Sequence, residues 1–247
     1  MKKETSQTVD RALQLLNLFS RYEELGISDA ALLLKIDRTS VSRLVGSLEA
    51  ADFIQQNPAN RKYRLGMRLL YLGTLVRERN ELTIRALPFM EKLSSRFQVS
   101  CMLCGLEKNQ VRVFHKVSAG PVAYMSAEPG LLLPAHCMGS GKLLLANSGA
   151  ENIRAYLSGA PFHAYTPNTI TNAAGLAAEL QRILQQGYSD EKGEATIGMS
   201  CVAVPVREPD GRAIASLSLS GQSELIRNLH DDLLKALLEA SGQISLH

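Results

Sequence analysis

Five hydrogen-bonding side chains follow one another closely near residue 40, and their types suit contacts with nucleic acid. They are Arg38, Thr39, Ser40, Ser42 and Arg43. Asp37, directly before them, is a good helix N-cap, so the five would lie at the start of a helix. Compact hydroxyls and guanidinium groups there reach base edges or phosphates when the helix enters a major groove. An ordinary capped helical hairpin is the alternative.

A shorter helix precedes this one, and the two together form a helix-turn-helix pattern. Ser28 is the predicted N-cap of the first helix, and Ala31 is small, as is needed where two helices cross closely. Val41 is the expected apolar contact of the second helix. Lys35 lies in the turn, where a left-handed backbone would cost about 1 kcal/mol. An amphipathic helix over residues 7–20 comes before the pair.

After the helical pair, the pattern of the sequence changes from helical to extended. It predicts two short strands, residues 53–56 and 62–65, on either side of a turn-forming cluster at residues 57–61. A hairpin directly after a helix-turn-helix is typical of the wing of a winged helix. Arg61 and Lys62 lie at its tip, where they would meet the sugar-phosphate backbone or the minor groove. A charged hairpin on an unrelated surface is the alternative.

The distribution of charge agrees with a polyanion-binding amino-terminal segment. Residues 1–80 contain 13 Lys and Arg against 9 Asp and Glu, whereas residues 81–247 contain 14 against 15. The net charge of +3 therefore comes from the segment with the helical pair. An excess this small is also compatible with chance.

The remaining pattern predicts two domains, residues 1–80 and 81–247. Residues 66–80 form a linker helix that would also pack against a second copy. A helix follows from residue 82, with Pro88 in its first turn or at a kink. The second domain alternates strands (residues 99–106, 111–117, 123–126, 201–206 and 213–220) with helices near residues 152–157, 176–186 and 223–241. Short hairpins between the strands favour an α+β fold around an antiparallel sheet flanked by helices.

Several classes of protein are disfavoured by the sequence. It has neither a membrane-length apolar stretch nor a signal peptide, so we expect a cytoplasmic protein without membrane association. Cys101 and Cys104 have C-x-x-C spacing, but they would point to opposite faces of one strand. With Cys137 and Cys201, they are better interpreted as buried thiols than as disulfides or metal ligands.

Three further clusters could have indicated catalysis but do not. The Gly139–Lys142 segment lacks the Walker spacing of a phosphate loop, and Leu143 replaces the Mg²⁺-binding hydroxyl. His136 and Cys137 have no partner at metal-ligand or nucleophile spacing. The carboxylates Asp190, Glu191 and Glu194 lie in an expected loop, where solvated or capping roles are favoured. We therefore predict no catalytic residue, no metal site and no cofactor.

Taken together, the motifs resemble the IclR family of bacterial transcription regulators over nearly the whole chain. The resemblance is carried in the first domain by residues 8–16, 38–44 and 62–66. In the second domain it is carried by residues 134–136, 141–146, 187–188, Glu194, residues 198–206 and residues 217–221. Each motif alone is weak, but their order and spacing are specific. Lys35 departs from the usual glycine of the turn, and Glu191 stands where some members have a sensing aspartate.

The resemblance implies a GAF-like effector-binding domain that holds a small organic or sugar acid. The residues that the resemblance assigns to the effector are Met138 and Gly139, through their backbone, and Glu191, Cys201, Ser218 and Ser220, through their side chains. The residues agree in outline, because a helix beginning near Gly141 would offer a partly positive end to a carboxylate. Ser218 and Ser220 alternate with leucines and so share one face of a strand. Serines that only satisfy each other on a half-buried sheet are the alternative.

The expected protein is thus a homodimeric or tetrameric regulator that binds double-stranded operator DNA and a small-molecule effector. Repression of a catabolic operon is the commoner behaviour that the resemblance implies, and activation by the same architecture is the alternative. Two other classes remain open. They are an enzyme built on residues 81–247 and a structural DNA-binding protein without a ligand.

Overall fold

The computed structural model describes residues 5–119 and 127–245. The chain forms two compact units, Met1–Glu78 and Arg79–His247, close to the division expected from the sequence. Within the described ranges, no helix is both long and apolar enough to cross a membrane. The strand expected at residues 123–126 lies outside the described residues.

The first unit contains three packed helices, a β-hairpin and a fourth helix. Its elements are α1 (Gln7–Leu18), α2 (Ile27–Leu34), α3 (Arg38–Ala50), β1 (Ile54–Gln56), β2 (Tyr63–Leu65) and α4 (Met67–Glu78). Every element before α4 contributes to one core, in which Leu15, Ala31, Val41, Ile54 and Tyr63 are buried. The predicted packing roles of Ala31 and Val41 are therefore confirmed.

The two helices of the helix-turn-helix are limited by different local interactions. Asp37 precedes α3 and accepts a hydrogen bond from the Ser40 N–H at 2.8 Å, which confirms the predicted cap. The predicted cap of α2 is wrong, because Gly26 holds that position and Ser28 lies inside the helix. Lys35 ends α2 in a left-handed conformation, with φ of 56° and ψ of 43°.

The hairpin is fixed to the segment that precedes α2. Its two antiparallel strands pair from Ile54 with Leu65 to Gln56 with Tyr63. Leu25 joins them, since its N–H and carbonyl form hydrogen bonds of 2.9 and 2.8 Å with the Tyr63 backbone. The wing therefore closes against the helical bundle through backbone pairing as well as apolar contacts.

The second unit is an antiparallel sheet flanked by helices. Its helices are α5 (Glu81–Phe97), α6 (Gly139–Ala146), α7 (Ala150–Leu157), α8 (Ala173–Gln186), α9 (Ser223–Asn228) and α10 (His230–Ser245). Its strands are β3 (Ser100–Glu107), β4 (Gln110–Val117), β5 (Leu132–Pro134), β6 (Ser189–Lys192), β7 (Met199–Arg207) and β8 (Ala213–Gln222). Their spatial order is β5-β4-β3-β8-β7-β6, and every pair is antiparallel. The predicted α+β fold with an amino-terminal winged helix-turn-helix is confirmed.

Each face of this sheet has its own apolar core. Helices α5, α9 and α10 cover the face that contains Cys101, and α6 and α8 cover the face that contains Cys104. The predicted opposite orientation of these two cysteines is therefore confirmed, because strand residues three apart alternate in direction.

Of the two positions predicted for Pro88, the first turn is wrong, because the residue lies in the interior of α5. Two other local predictions differ from the structure. Helix α6 begins at Gly139, two residues before the expected start. The carboxylates Asp190 and Glu191 belong to strand β6, an edge strand, and not to a loop.

Candidate nucleic-acid interface and effector site

The first half of α3 presents polar side chains on one side and buries apolar ones on the other. Exposed are Arg38, Thr39, Ser42 and Arg43. Buried are Val41, Leu44 and Val45, which anchor the helix in the core of the first unit. The exposed set thus consists of two guanidinium groups and two hydroxyls, as the sequence pattern predicts.

Ser40 differs from the other predicted DNA contacts. It is half-buried, and its hydroxyl donates to Asp37 Oδ2 at 2.6 Å. Its N–H donates to the other oxygen of the same carboxylate. These two bonds hold the pKa of Asp37 below its ordinary value. The hydroxyl of Ser40 is therefore occupied by helix capping, which sequence spacing could not reveal.

The wing carries its two predicted cations at the tip of the hairpin. Arg61 and Lys62 are both exposed, and Arg61 has a left-handed backbone with φ of 59°. The N–H of Arg61 donates to the Asn57 carbonyl at 2.8 Å, and the Asn57 N–H donates to the Lys62 carbonyl at 2.7 Å. The tip is thus an ordered turn from which both cationic side chains project.

Three of the predicted effector residues lie in one row across the edge of the sheet. Glu191 pairs with Cys201, and Cys201 pairs with Ser220. Directly opposed side chains of antiparallel strands share a face and lie about 5 Å apart. All three are buried, with at most 6% of each residue exposed. The register therefore brings together three groups that are spread over about thirty residues of sequence.

The start of α6 approaches this row closely. Met138 is the N-cap of α6, and Gly139 is its first residue. A Cβ atom added at Gly139 would lie 3.1 Å from Cys201 Sγ and 3.4 Å from Glu191 Cβ. Glycine thus permits the approach of helix to sheet, and the free N–H groups at the helix start give a partly positive end there.

Ser218 lies on the same face but has protein partners. Ser140 Oγ donates to Ser218 Oγ at 3.2 Å, and Ser218 Oγ lies 3.5 Å from the Met102 carbonyl. Ser218 therefore agrees with the alternative in one respect, because its hydroxyl is bonded to another serine. It differs in the other respect, because this part of the sheet is fully buried and not half-buried.

Ser100 is a residue of this row that sequence reasoning missed. It pairs with Ser220 on β8, so the row continues from Glu191 through Cys201 and Ser220 onto β3. Its hydroxyl lies 3.2 Å from that of Ser118. The alternation of side chains along β3 predicts the face of the sheet on which Ser100 lies. Only the strand register shows that Ser100 is a neighbour of the predicted site.

Glu191 is buried, which excludes the first of its two predicted roles, solvation, and leaves the second, capping. Burial raises its pKa to about 7, although two backbone N–H groups that bond to Oε1 act in the opposite direction. These N–H groups belong to Glu194 and Ala195, and the negative charge of Glu194 raises the pKa further. Glu191 therefore caps the turn that follows it, which is the second of its two predicted roles.

A buried ionic cluster beside this site was also missed. Lys142 is fully buried and forms salt bridges with Glu179 and Glu194. Burial raises the pKa of Glu194, and one of its oxygens has no hydrogen-bond partner among the described residues. The three residues are far apart in sequence, and the weak phosphate-loop motif at Lys142 was the one available signal.

The geometry gives no support to metal or nucleophile chemistry in the described part of the chain. No group of three His, Cys, Asp or Glu side chains there could hold a metal ion. All four cysteines are free and buried, and burial raises the pKa of each thiol. His136 stacks on Phe162 at 5.1 Å, and burial lowers its pKa. Its imidazole is therefore a packed side chain.

These features define a class of protein. A helix-turn-helix with exposed donors on its second helix and a cationic wing is a DNA-binding domain. It is followed by an α+β unit with a buried polar row at the start of a helix. The chain is a transcriptional regulator with a helix-turn-helix DNA-binding domain.

Comparison with known proteins identifies the family. The model of the IclR helix-turn-helix domain matches residues 8–58, and that of the bacterial transcriptional regulator IclR C-terminal domain matches residues 74–246. The chain belongs to the IclR family, as its motifs suggested.

Individual relatives agree with this assignment. The chain is 34% identical to the HTH-type transcriptional regulator XynR of Escherichia coli K12, across 87% of this chain and 85% of that protein. It is 24% identical to the repressor AllR of the same strain, across 94% and 90%. The crystal structure of an IclR homolog from Microbacterium hydrocarbonoxydans, complexed with 4-hydroxybenzoate, matches this chain with a TM-score of 0.84 and 26% sequence identity. The match covers 97% of this chain and 98% of the homolog's chain.

Proposed function

We propose that the protein is a repressor whose binding to operator DNA is controlled by a small organic or sugar acid. The observation that carries this proposal is the exposed set of donors on α3, which are held in place by the buried residues of the same helix. Regulation of a catabolic operon is the further expectation. An activator of the same architecture is the second candidate.

The DNA contacts would be divided between the two elements. Arg38, Thr39, Ser42 and Arg43 would meet base edges and phosphates in the major groove, with Ser40 acting through the cap. Arg61 and Lys62 would contact the sugar-phosphate backbone. This division is supported by exposure, since the α3 donors project from a buried helix and the wing cations project from a turn.

The effector would lie against the polar row at the start of α6. Backbone N–H groups at Met138 and Gly139 would receive its carboxylate, and Glu191, Cys201, Ser218 and Ser220 would contact the rest. The close approach of Gly139 to the row supports this arrangement. The structural relative that carries 4-hydroxybenzoate holds a small organic acid of the proposed class.

A dimer or tetramer is proposed from the surface of the first unit. Every residue of α4 keeps part of its surface exposed, including Met67 at 71%, Leu70 at 61% and Val76 at 72%. Apolar surface of this kind is commonly covered by association. A second copy would also place two α3 helices for the two half-sites of an operator.

Repression is proposed over activation because a relative that spans most of the chain, AllR, is named a repressor. The two candidates differ in one measurement. Deletion of the gene should raise transcription of the controlled operon for a repressor and lower it for an activator.

The DNA proposal is tested by fluorescence anisotropy with the upstream region of the protein's own gene. Arg43→Ala should weaken binding about tenfold or more, because a contact between arginine and a base is worth about 1–3 kcal/mol. Arg154→Ala removes the same charge from an exposed position on α7 and should leave affinity unchanged. Retained affinity in Arg43→Ala would overturn the proposed role of α3.

The effector proposal is tested by thermal unfolding with acetate, D-gluconate and 4-hydroxybenzoate. A ligand at a hundred times its Kd adds about 2.7 kcal/mol to the free energy of unfolding and raises Tm. Ser220→Ala should reduce that shift. Ser200→Ala is the matched control, since Ser200 is equally buried on the neighbouring strand but faces the other way and donates to Ser223. Equal loss in both variants would contradict a site at Ser220.

A further inference from the structure

Glu24 lies between α1 and α2, yet both oxygens of its carboxylate are bonded to the turn of the wing. Oε1 accepts a hydrogen bond from Asn57 Nδ2 at 2.7 Å. Oε2 accepts one from Asn60 Nδ2 at 2.6 Å. One side chain therefore joins the segment before α2 to both asparagines of a turn more than thirty residues away.

The same two asparagines shape the tip of the wing. Asn57 Oδ1 accepts from the Ala59 N–H at 3.0 Å, and Asn60 Oδ1 accepts from the Lys62 N–H at 2.9 Å. The side-chain oxygen of each asparagine thus accepts a hydrogen bond within the turn, and its side-chain nitrogen donates one to Glu24. The carboxylate fixes the orientation of both amides, and the amides fix the backbone of the turn.

The tip needs such support because the hairpin is small and its turn is strained. Each strand has three residues, and a two-stranded hairpin is marginally stable on its own. Arg61 adopts φ of 59°, a conformation that L residues rarely hold without help from their surroundings. Gln56 Nε2 gives further help by donating to the Arg61 carbonyl at 3.0 Å.

We infer that Glu24 is a positioning residue for DNA binding, which holds the turn so that Arg61 and Lys62 meet the DNA backbone at fixed points. The inference rests on the proposed contacts of those two cations. Glu24 itself would not touch DNA. Its effect passes through the asparagine amides and the turn that they order.

The charge of Glu24 makes a distinctive test possible. The asparagine bonds, with Arg64 and Lys62 nearby, hold its pKa below the ordinary value, so it is anionic at neutral pH. An anion beside a DNA-binding surface opposes binding through repulsion, and its removal alone would strengthen affinity. Loss of a positioning residue would weaken affinity. The two roles therefore predict changes of opposite sign.

The experiment compares Glu24→Gln with Glu23→Gln in the full-length protein. Glutamine keeps the shape of the side chain but turns an NH₂ group towards one of the asparagine donors, which breaks one arm of the contact. The control residue, Glu23, is exposed and accepts no hydrogen bond from the wing in the part of the chain described. Both variants lose the same charge from neighbouring positions.

Anisotropy titrations with the upstream DNA over a range of salt concentrations give the result. Glu24→Gln should weaken binding about threefold to tenfold and lower the slope of log affinity against log salt by about 1, as expected when a phosphate contact is lost. Glu23→Gln should bind equally well or slightly more tightly. Asn60→Ala should reproduce the loss without any change of charge. Unchanged or tighter binding by Glu24→Gln would overturn the inference.

Two further measurements separate the inference from its premises. In a chain that already carries Arg61→Ala and Lys62→Ala, Glu24→Gln should have no additional effect on affinity, and an undiminished effect would contradict positioning through the wing. Arg43→Ala tests DNA binding by α3 independently. If Arg43→Ala weakens binding but Glu24→Gln does not, the positioning role fails while the proposed function stands.

Discussion

Lys142 Nζ lies 3.1 Å from Glu179 Oε1, and none of the Lys142 side chain is exposed. Glu194 is buried and contacts the same ammonium group, whereas Glu179 is half-buried and also forms a salt bridge with Arg182. A buried ion pair is not a reliable source of stability in itself, but loss of one partner leaves an uncompensated charge. This relationship therefore makes Lys142 a structural requirement of the second unit.

Lys142→Met should lower the free energy of unfolding by about 3–5 kcal/mol, because the buried Glu194 carboxylate would be left without its cation, whereas Glu179 would keep Arg182. Urea denaturation at neutral pH measures the loss. Lys235→Met, at an exposed position on α10, should change stability by less than about 0.5 kcal/mol. The deficit of Lys142→Met should shrink in acid, where Glu179 and Glu194 become neutral. A loss below about 1 kcal/mol at neutral pH would contradict the buried cluster.

Gly141→Ala should destabilise the second unit by about 1–3 kcal/mol through overpacking. A Cβ atom at this position would lie 2.4 Å from the Ala135 carbonyl oxygen and 2.5 Å from Ala135 Cα, both of them backbone atoms that cannot easily move. Gly242→Ala on α10 is the control, since its Cβ would meet nothing within 4 Å. The control should be neutral or stabilising, as alanine is the better helix former. Equal stability of the two variants would show that α6 can shift away from Ala135.

Lys35→Gly should raise the free energy of unfolding of the first unit by up to about 1 kcal/mol, because glycine relieves the left-handed strain. The φ of 56° at the end of α2 supplies the reason. Lys35→Ala keeps a Cβ atom and should bring no such gain. If both substitutions are equally neutral, the lysine has no strain that glycine could remove. Thermal unfolding of the three proteins is sufficient for the comparison.

The features that sequence predicts best depend on short-range order. Asp37 caps α3 because a cap acts within three residues, and Val41 is buried because helical periodicity requires it. Alternation placed Ser218 and Ser220 on one face of β8. In each case the responsible interactions lie within a few neighbours along the chain.

The features that sequence misses depend on long-range pairing. Strand β6 has the sequence SDEK, and its polar composition hides a strand whose alternate residues, Ser189 and Glu191, are buried. Ser100 joins the row of Glu191, Cys201 and Ser220 through strand register, and Lys142 contacts Glu194 across fifty-two residues of sequence. None of these contacts follows from local propensity, because each requires the sheet to be assembled first.

Glu191→Gln should remove a pH dependence from the stability of the ligand-free protein. Burial raises the pKa of Glu191 to about 7 from its ordinary value of 4.5, so the folded protein holds the proton more tightly than the unfolded chain does. The contribution of the protonated Glu191 carboxyl to stability is therefore fully present below the unfolded-state pKa of 4.5. It is lost as the pH rises through the folded-state pKa of about 7. Glutamine stays neutral throughout. The stability of the wild type relative to the variant should thus fall by roughly 2–3 kcal/mol from acid to mildly alkaline pH.

Urea denaturation at a series of pH values measures this difference directly. Glu194 is retained in both proteins, so its own titration affects the comparison only through coupling to Glu191. Glu151→Gln, at an exposed position on α7, supplies the control. A difference independent of pH would mean that folding leaves the pKa of Glu191 unchanged. A neutral Glu191 can donate a hydrogen bond, and an anionic effector beside it would favour that neutral form. Effector binding near neutral pH should therefore take up protons, which calorimetry in buffers of different ionisation enthalpy would detect.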